Sequence, residues 1–357
     1  MRRLPVLLLP AALALSLAAC GAPDPDGNEQ PAAVPTAPAP AAPAGTLSRQ
    51  TIESAVWSEA SAATSAPTDA APGQAAPPET PPPEIIRAQI LLDRARFSPG
   101  IVDGFGGDNT RQAVAAFEEA NDLPVDGALD AQVFARLTEG AAPVLTDHVI
   151  TAQDVAGPFA PVPTDLEAMA AMRSVGYASP REALAERFHV SEGVLAALNP
   201  GVDFARVGQT IVVPAVSAAP LPEVSRIVID KAESSLRAFD SDGRLLAFYP
   251  ATIGSPERPA PSGRLTVLGV APEPNYTYDP ERVSYDRGDR KLVIPAGPNN
   301  PVGSVWIDLS RDTYGIHGTP DPNKIAKTQS NGCVRLTNWS AEQLAASVKP
   351  GVEVVFT

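Results

Sequence analysis

Cysteine is nearly absent: 357 residues carry two, Cys20 and Cys333. A chain so poor in cysteine has no disulfide framework to hold it together. Histidine is also scarce, with three residues, His148, His189 and His317. A zinc site needs at least three protein ligands, and the neighbourhood of Cys333 offers only His317 beside it, so no metal or other cofactor is expected. Basic side chains are few, 27 against 41 acidic, for a net charge of −14. No basic patch is available to neutralise phosphates, which argues against nucleic acid as a partner. Long apolar runs are missing beyond Leu4 to Leu17, which is too short to span a bilayer comfortably. No Ser-His-Asp order, phosphate loop or dinucleotide fingerprint is found. Proline, by contrast, is abundant at 40 residues.

Arg2 and Arg3 followed by Leu4 to Leu17 read as a signal peptide. It ends in Leu17-Ala18-Ala19-Cys20, which resembles the lipobox of a bacterial lipoprotein. That resemblance implies cleavage after residue 19, acylation of Cys20 and attachment to a membrane by several acyl chains. Removing residues 1–19 leaves 25 basic against 41 acidic side chains. Gly21 after the cysteine points to the outer membrane, facing the periplasm, with the inner membrane as the alternative. The sequons at Asn275 and Asn338 are read as coincidence in such a chain.

Residues 20–83 read as a disordered tether, because 14 of the prolines fall there among alanines, with few large apolar side chains. A short helical patch from Thr51 to Ala62 is the one local exception. Residues 84–140 show helical apolar spacing at Ile85, Ile86, Ile90 and Leu92, then at Val114 and Phe117. Asp103-Gly104 and Asp126-Gly127 supply turns. This run, with Gln89, Thr110 and Leu123-Pro124-Val125, resembles the small all-α peptidoglycan-binding domain, although Glu118 stands where Gln is usual there. Residues 141–170, with Pro143, Pro158, Pro161 and Pro163, read as a linker. Residues 171–216 give helix, helix and strand, and with Asn199-Pro200 and Gly208-Gln209 they resemble a small α+β LysM glycan-binding module. Its role is either glycan binding or scaffold, since Ser179-Pro180-Arg181-Glu182 replaces the usual entry. His189, beside Phe188, reads as a packed structural histidine.

From Val224 the texture changes to short alternating runs separated by turns, which predicts a mainly β domain over 223–357, sandwich or barrel-like. Arg226 to Asp230, Ser235 to Phe239, Arg244 to Tyr249, Leu265 to Val270, Val305 to Leu309 and Val352 to Phe356 are its strands. A helix is expected from Ser340 to Val348, with Ser340 as its N-cap. Cys333 lies here without a disulfide partner, and His317, the one histidine of this region, can act as its base. Tyr314-Gly315-Ile316-His317-Gly318-Thr319 followed by Ser330-Asn331-Gly332-Cys333-Val334-Arg335 strongly resembles the YkuD-type L,D-transpeptidase catalytic domain.

A thiol with a reference pKa of about 8.5 needs a base at neutral pH. Cys333 is thus the expected nucleophile and His317 the base. Gly332 lets the substrate approach the backbone closely. The main-chain N–H groups of Asn331, Gly332 and Cys333, in a loop opened by Ser330, are candidates for an oxyanion hole. The resemblance implies that the carbonyl of Gly318 steadies the His317 ring. Arg335 either pairs with a carboxylate of the stem peptide or orders the loop, and Tyr314 and Trp306 are further candidates for substrate contact. Many relatives carry His where Asn331 stands. The resemblance implies acyl transfer from a peptidoglycan tetrapeptide to an amine, giving a 3→3 cross-link, and acylation by carbapenems. Water or a wall-attached protein amine are alternative acceptors, and the first would make the enzyme a carboxypeptidase or a wall-detaching amidase. The rival reading is a non-catalytic tether between outer membrane and peptidoglycan.

Overall fold

The computed structural model describes residues 47–58, 80–216, 219–282 and 288–357. The expected signal peptide at 1–19, the expected acylation site Cys20 and most of the expected tether lie outside the described residues. The first domain contains α2 (Pro83–Arg94), α3 (Asp108–Ala120) and α4 (Ala131–Thr138). Ile85, Ile86, Ile90 and Leu92 of α2 are fully buried, as their helical spacing predicts. Two polar side chains hold the two Asp-Gly turns in the same way. Gln89 Oε1 accepts from the N–H groups of Asp103 (3.1 Å) and Gly104 (2.8 Å). Glu118 Oε2 accepts from those of Asp126 (3.1 Å) and Gly127 (2.8 Å). An acceptor is all the second turn requires, so Glu serves there in place of Gln.

Two expectations need correction. Residues 47–58 were expected in the tether but belong to the folded body. Here α1 (Arg49–Glu53) is capped by Ser48 and buries Ile52. The Glu53 carboxylate receives the N–H groups of Val144 (3.1 Å) and Leu145 (2.8 Å), and Arg49 reaches Asp147. Leu47, Ile52 and Trp57 supply the apolar surface that a proline-rich average conceals. The second correction concerns the linker at 141–170. Leu145–Val149 is a strand, β1, which pairs antiparallel with β2 (Thr210–Pro214) around α6 (Pro180–Arg187) and α7 (Glu192–Leu198). Further along, α5 (Leu166–Ala170) packs Leu166 into a small core with Val175, Tyr278 and Ile294. His189 is packed as expected, but against other neighbours. Its Nδ1 lies 2.9 Å from Asp93 Oδ2, and its ring stacks on Trp339 at 4.9 Å.

The C-terminal domain is built on a nine-stranded sheet. Its strands are β3 (Arg226–Asp230), β4 (Ser235–Phe239), β5 (Leu245–Pro250), β6 (Thr252–Ile253), β7 (Gly263–Pro272), β10 (Val305–Leu309), β11 (Gly315–His317), β12 (Val334–Arg335) and β13 (Glu353–Phe356). A separate hairpin pairs β8 (Tyr276–Tyr278) with β9 (Leu292–Ile294). The sheet order is β5-β4-β3-β13-β7-β10-β11-β12-β6. Its two edge strands, β5 and β6, are separated only by Ala251. One residue cannot bridge a flat sheet of nine strands, so the sheet rolls until its edges nearly meet. The interior holds Ile227, Leu236, Val267, Ile307, Ile316 and Val354. The last helix, α8 (Asn338–Ala345), packs onto this core through Leu344. Its N-cap is Thr337, not Ser340. Thr337 has extended backbone and its side chain accepts from Ser340 N–H at 3.3 Å, which places Ser340 inside the first turn.

The modules are joined by main-chain bonds. Ser98 N–H donates to Phe248 O and Phe248 N–H donates to Arg96 O, both at 2.9 Å, so a segment of the helical domain adds to edge strand β5. Phe248 thereby enters the core shared by the helical domain and the β1–β2 module.

Candidate active site

The loop carrying Cys333 is organised by one hydroxyl. Ser330 Oγ accepts from Gly254 N–H at 2.6 Å and from Gly332 N–H at 3.3 Å, and donates to Cys333 O at 2.6 Å. A serine hydroxyl has one proton and two lone pairs, so its capacity is used in full. Ser330 N–H also donates to Gly254 O at 2.9 Å, which pins the loop to the end of β6. Gly332 has φ +105°, and a Cβ there would lie 2.8 Å from the Tyr314 ring. Its N–H is turned to Ser330, which leaves Asn331 and Cys333 as the loop's candidate donors to an oxyanion. The Asn331 side chain points away to Arg258, with Oδ1 3.4 Å from Nη1.

His317 ends β11 and is buried. Its Nδ1 lies 2.7 Å from Gly318 O, the carbonyl that the resemblance implied. A carbonyl only accepts, so Nδ1 carries the proton and Nε2 keeps a lone pair. Behind the ring, Asn338 Oδ1 accepts from Ser304 N–H (3.1 Å) and Thr319 N–H (3.0 Å). Asn338 Nδ2 donates to Glu186 Oε1 (2.8 Å) and Pro298 O (3.0 Å). A Cβ on Gly318 would fall 2.0 Å from Asn338 Oδ1, so glycine is required for that contact. Glu186 comes from α6, so the β1–β2 module contributes to the ground on which His317 stands. In front, Trp306 stacks on the imidazole at 5.5 Å with planes 17° apart.

A cleft of about 760 Å³ opens over these groups. It brings together six predicted residues: Trp306, Tyr314, His317, Asn331, Cys333 and Arg335. Ser330, Gly332 and Gly318 support it from behind. Sequence reasoning missed the hairpin wall of Asn275, Tyr276, Asp279 and Arg282, together with Asp308 and Asp312. Asp308 was legible in principle, because it follows Trp306 by two on a strand and so shares its face. Asn338 and Glu186 gave no local signal.

The Cys333 thiol donates to Thr313 O at 3.5 Å. Burial pushes its pKa up, against the main chain of Gly315 and the charge of Arg335, which pull it down. Burial pulls His317 down to about 3, helped by Arg335 and opposed by hydrogen bonds to the main chain of Gly318 and Val302. Both shifts favour the neutral forms, thiol and imidazole. Among the described residues, no group of three His, Cys, Asp or Glu side chains is placed to hold a metal ion.

The family model for the L,D-transpeptidase catalytic domain, YkuD, matches residues 225–356. That for a putative peptidoglycan binding domain matches residues 81–137. A putative L,D-transpeptidase YkuD of Bacillus licheniformis is 29% identical over 178 residues, covering 49% of this chain and 92% of the relative. The probable L,D-transpeptidase YbiS of Escherichia coli is 30% identical over 207 residues, covering 55% and 67%. Among solved structures, an L,D-transpeptidase from Xylanimonas cellulosilytica covers 77% of this chain and 93% of its own, at 17% identity and a TM-score of 0.32. Mycobacterium tuberculosis L,D-transpeptidase 3 with a faropenem-derived adduct covers 42% and 74%, at 17% identity and a TM-score of 0.32.

Proposed function

The chain belongs to the YkuD-type L,D-transpeptidase family, and from that premise we propose that it is a cysteine-dependent enzyme that cross-links peptidoglycan stem peptides. Its working place is the cell envelope, with the helical domain binding peptidoglycan. The observation that carries the reading is the meeting of Cys333 and His317 in one cleft, with Nδ1 committed to Gly318 O.

The chemistry proceeds in two halves. The S–H of Cys333 turns from Thr313 O to Nε2 of His317, and the sulfur attacks the carbonyl of the third residue of a donor tetrapeptide. N–H groups of Asn331 and Cys333 receive the oxyanion. His317 returns the proton to the leaving nitrogen, the C–N bond breaks, and D-alanine departs. An amine of a second stem then attacks the thioester, the C–S bond breaks, and the thiol is regenerated with a 3→3 cross-link. Arg335 places its charge at the sulfur and suits a stem carboxylate. Carbapenems would acylate the same sulfur. Acylated Cys20 would tether the protein to the outer membrane.

Purified sacculi incubated with the enzyme test the reading. New 3→3 dimers that vanish with Cys333→Ala are expected, and unchanged muropeptides would overturn it. For the anchor, Cys20→Ser should release the protein from membranes, and continued membrane fractionation would count against acylation.

A further inference from the structure

Strand β10 alternates strictly between buried and half-buried positions. Val305, Ile307 and Leu309 enter the core, so Trp306 and Asp308 share the opposite face, on the cleft. Asp308 is in register with Gly315. β11 in turn pairs in parallel with β12, Ile316 opposite Val334, which brings Cys333, the residue before Val334, alongside Gly315. Asp308 thus stands one strand away from the nucleophile. Its Oδ1 accepts from the indole N–H of Trp306 at 3.2 Å, which holds the carboxylate at a set angle.

The other acids of the cleft are committed. Asp312 is paired with Arg282 at 2.8 Å and Asp279 with Lys291 at 2.9 Å. Asp308 makes no ion pair with the described residues. A half-buried carboxylate with a single neutral donor is under-compensated, and a cation arriving from solution would gain more there than at a paired acid.

We infer that Asp308 is the specificity-determining residue for the second substrate, receiving the cationic primary amine of the acceptor and favouring it over water. The inference rests on the proposed transpeptidase reading and deepens it. The incoming ammonium docks on Asp308, gives one proton to solvent, and attacks the thioester carbonyl as the free amine. Its second proton passes through His317 to the sulfur as the C–S bond breaks. The departing D-alanine takes up one proton to leave as an ammonium, so the two halves balance.

The test uses the full chain and a donor tetrapeptide whose own side-chain amine is acetylated. Acylation of Cys333 is read first by intact mass. The acyl-enzyme is then offered either a diaminopimelate tripeptide, cationic at neutral pH, or hydroxylamine, which is uncharged there. Asp308→Asn should lower kcat/KM for the tripeptide by about tenfold or more, the scale of one charge-assisted hydrogen bond. The reaction with hydroxylamine should fall far less, hydrolysis should take a larger share of products, and Asp308→Glu should recover part of the loss. Equal losses with both nucleophiles, or no loss with the tripeptide, would overturn the role of Asp308 while leaving the transpeptidase reading intact. A wild-type enzyme that never acquires the acyl group would instead refute that reading, and this inference with it.

Discussion

Trp306 lies where a side chain on Gly315 would have to be. A Cβ at Gly315 would sit 2.3 Å from indole Cζ2. The strand pairing that puts Trp306 opposite His317 then lets the indole cover the imidazole, with centroids 5.5 Å apart. A π-face favours a cation, so in the proposed mechanism the stack would support the imidazolium, against the repulsion of Arg335.

Gly315→Ala should therefore displace the indole and slow acylation of Cys333, whereas Trp306→Phe should keep much of the rate. Loss of the stack in Trp306→Leu is expected to cost about 1 kcal/mol in the transition state, or roughly fivefold in rate. Acylation by a carbapenem, followed by mass spectrometry, measures it. An unchanged rate in Trp306→Leu would remove the indole from the account.

The division of labour between His317 and Asn331 is separately testable. His317→Ala should slow acylation by about 10²–10⁴, the usual contribution of a general base. Asn331→Ala should do much less, because its side chain faces Arg258 and its role is assigned to the main chain. Iodoacetamide labelling of Cys333 in His317→Ala should recover as pH rises toward the raised thiol pKa. Equal inactivity of the two folded variants would require a new account of the loop.

Glu186 makes stability depend on pH. Burial raises its pKa from 4.5 to about 7, opposed by hydrogen bonds from Asn338 and Tyr177, while Glu342 and Glu182 push it further up. The folded state therefore holds a proton that the unfolded chain releases. Stability contributed by this proton is full below about 4.5 and is lost as pH rises to about 7, a change on the order of 3 kcal/mol. Glu186→Gln keeps an acceptor for Asn338 and should flatten that decline. Thermal unfolding from pH 4.5 to 8 checks it, and parallel slopes in wild type and variant would show that Glu186 is not the group responsible.

The segment at 47–58 should contribute to stability in spite of its proline-rich surroundings. Ile52 is fully buried, so Ile52→Ala is expected to cost about 2–5 kcal/mol. Glu53→Gln should cost less, since an amide oxygen still receives the N–H groups of Val144 and Leu145. Denaturant unfolding of the two variants provides the comparison. A value near zero for Ile52→Ala would return the segment to the tether.

Local chemistry was legible in the chain. Alternation marked β3, β4, β5 and β10, and 3.6-residue spacing marked α2 and α3, because those periods come from backbone geometry and need no distant partner. The His317 and Cys333 motifs were legible for the same reason: each needs its immediate neighbours, Gly318 O for the ring and Ser330 for the loop. Tertiary structure alone decided the rest. β1 is a strand because β2 lies beside it, 61 residues on in the register Val149 to Thr210. α1 is held by Val144 and Leu145, and a compositional average over residues 20–83 has no term for such contacts. Asn338 clamps Ser304 and Thr319 and is itself held by Glu186, from a module more than 150 residues away. Asp308 comes near Cys333 only through the pairing of β10, β11 and β12. Hydrogen bonds and charges act over a few ångströms in space, and the chain separations that the fold closes leave no periodic or compositional trace in the sequence.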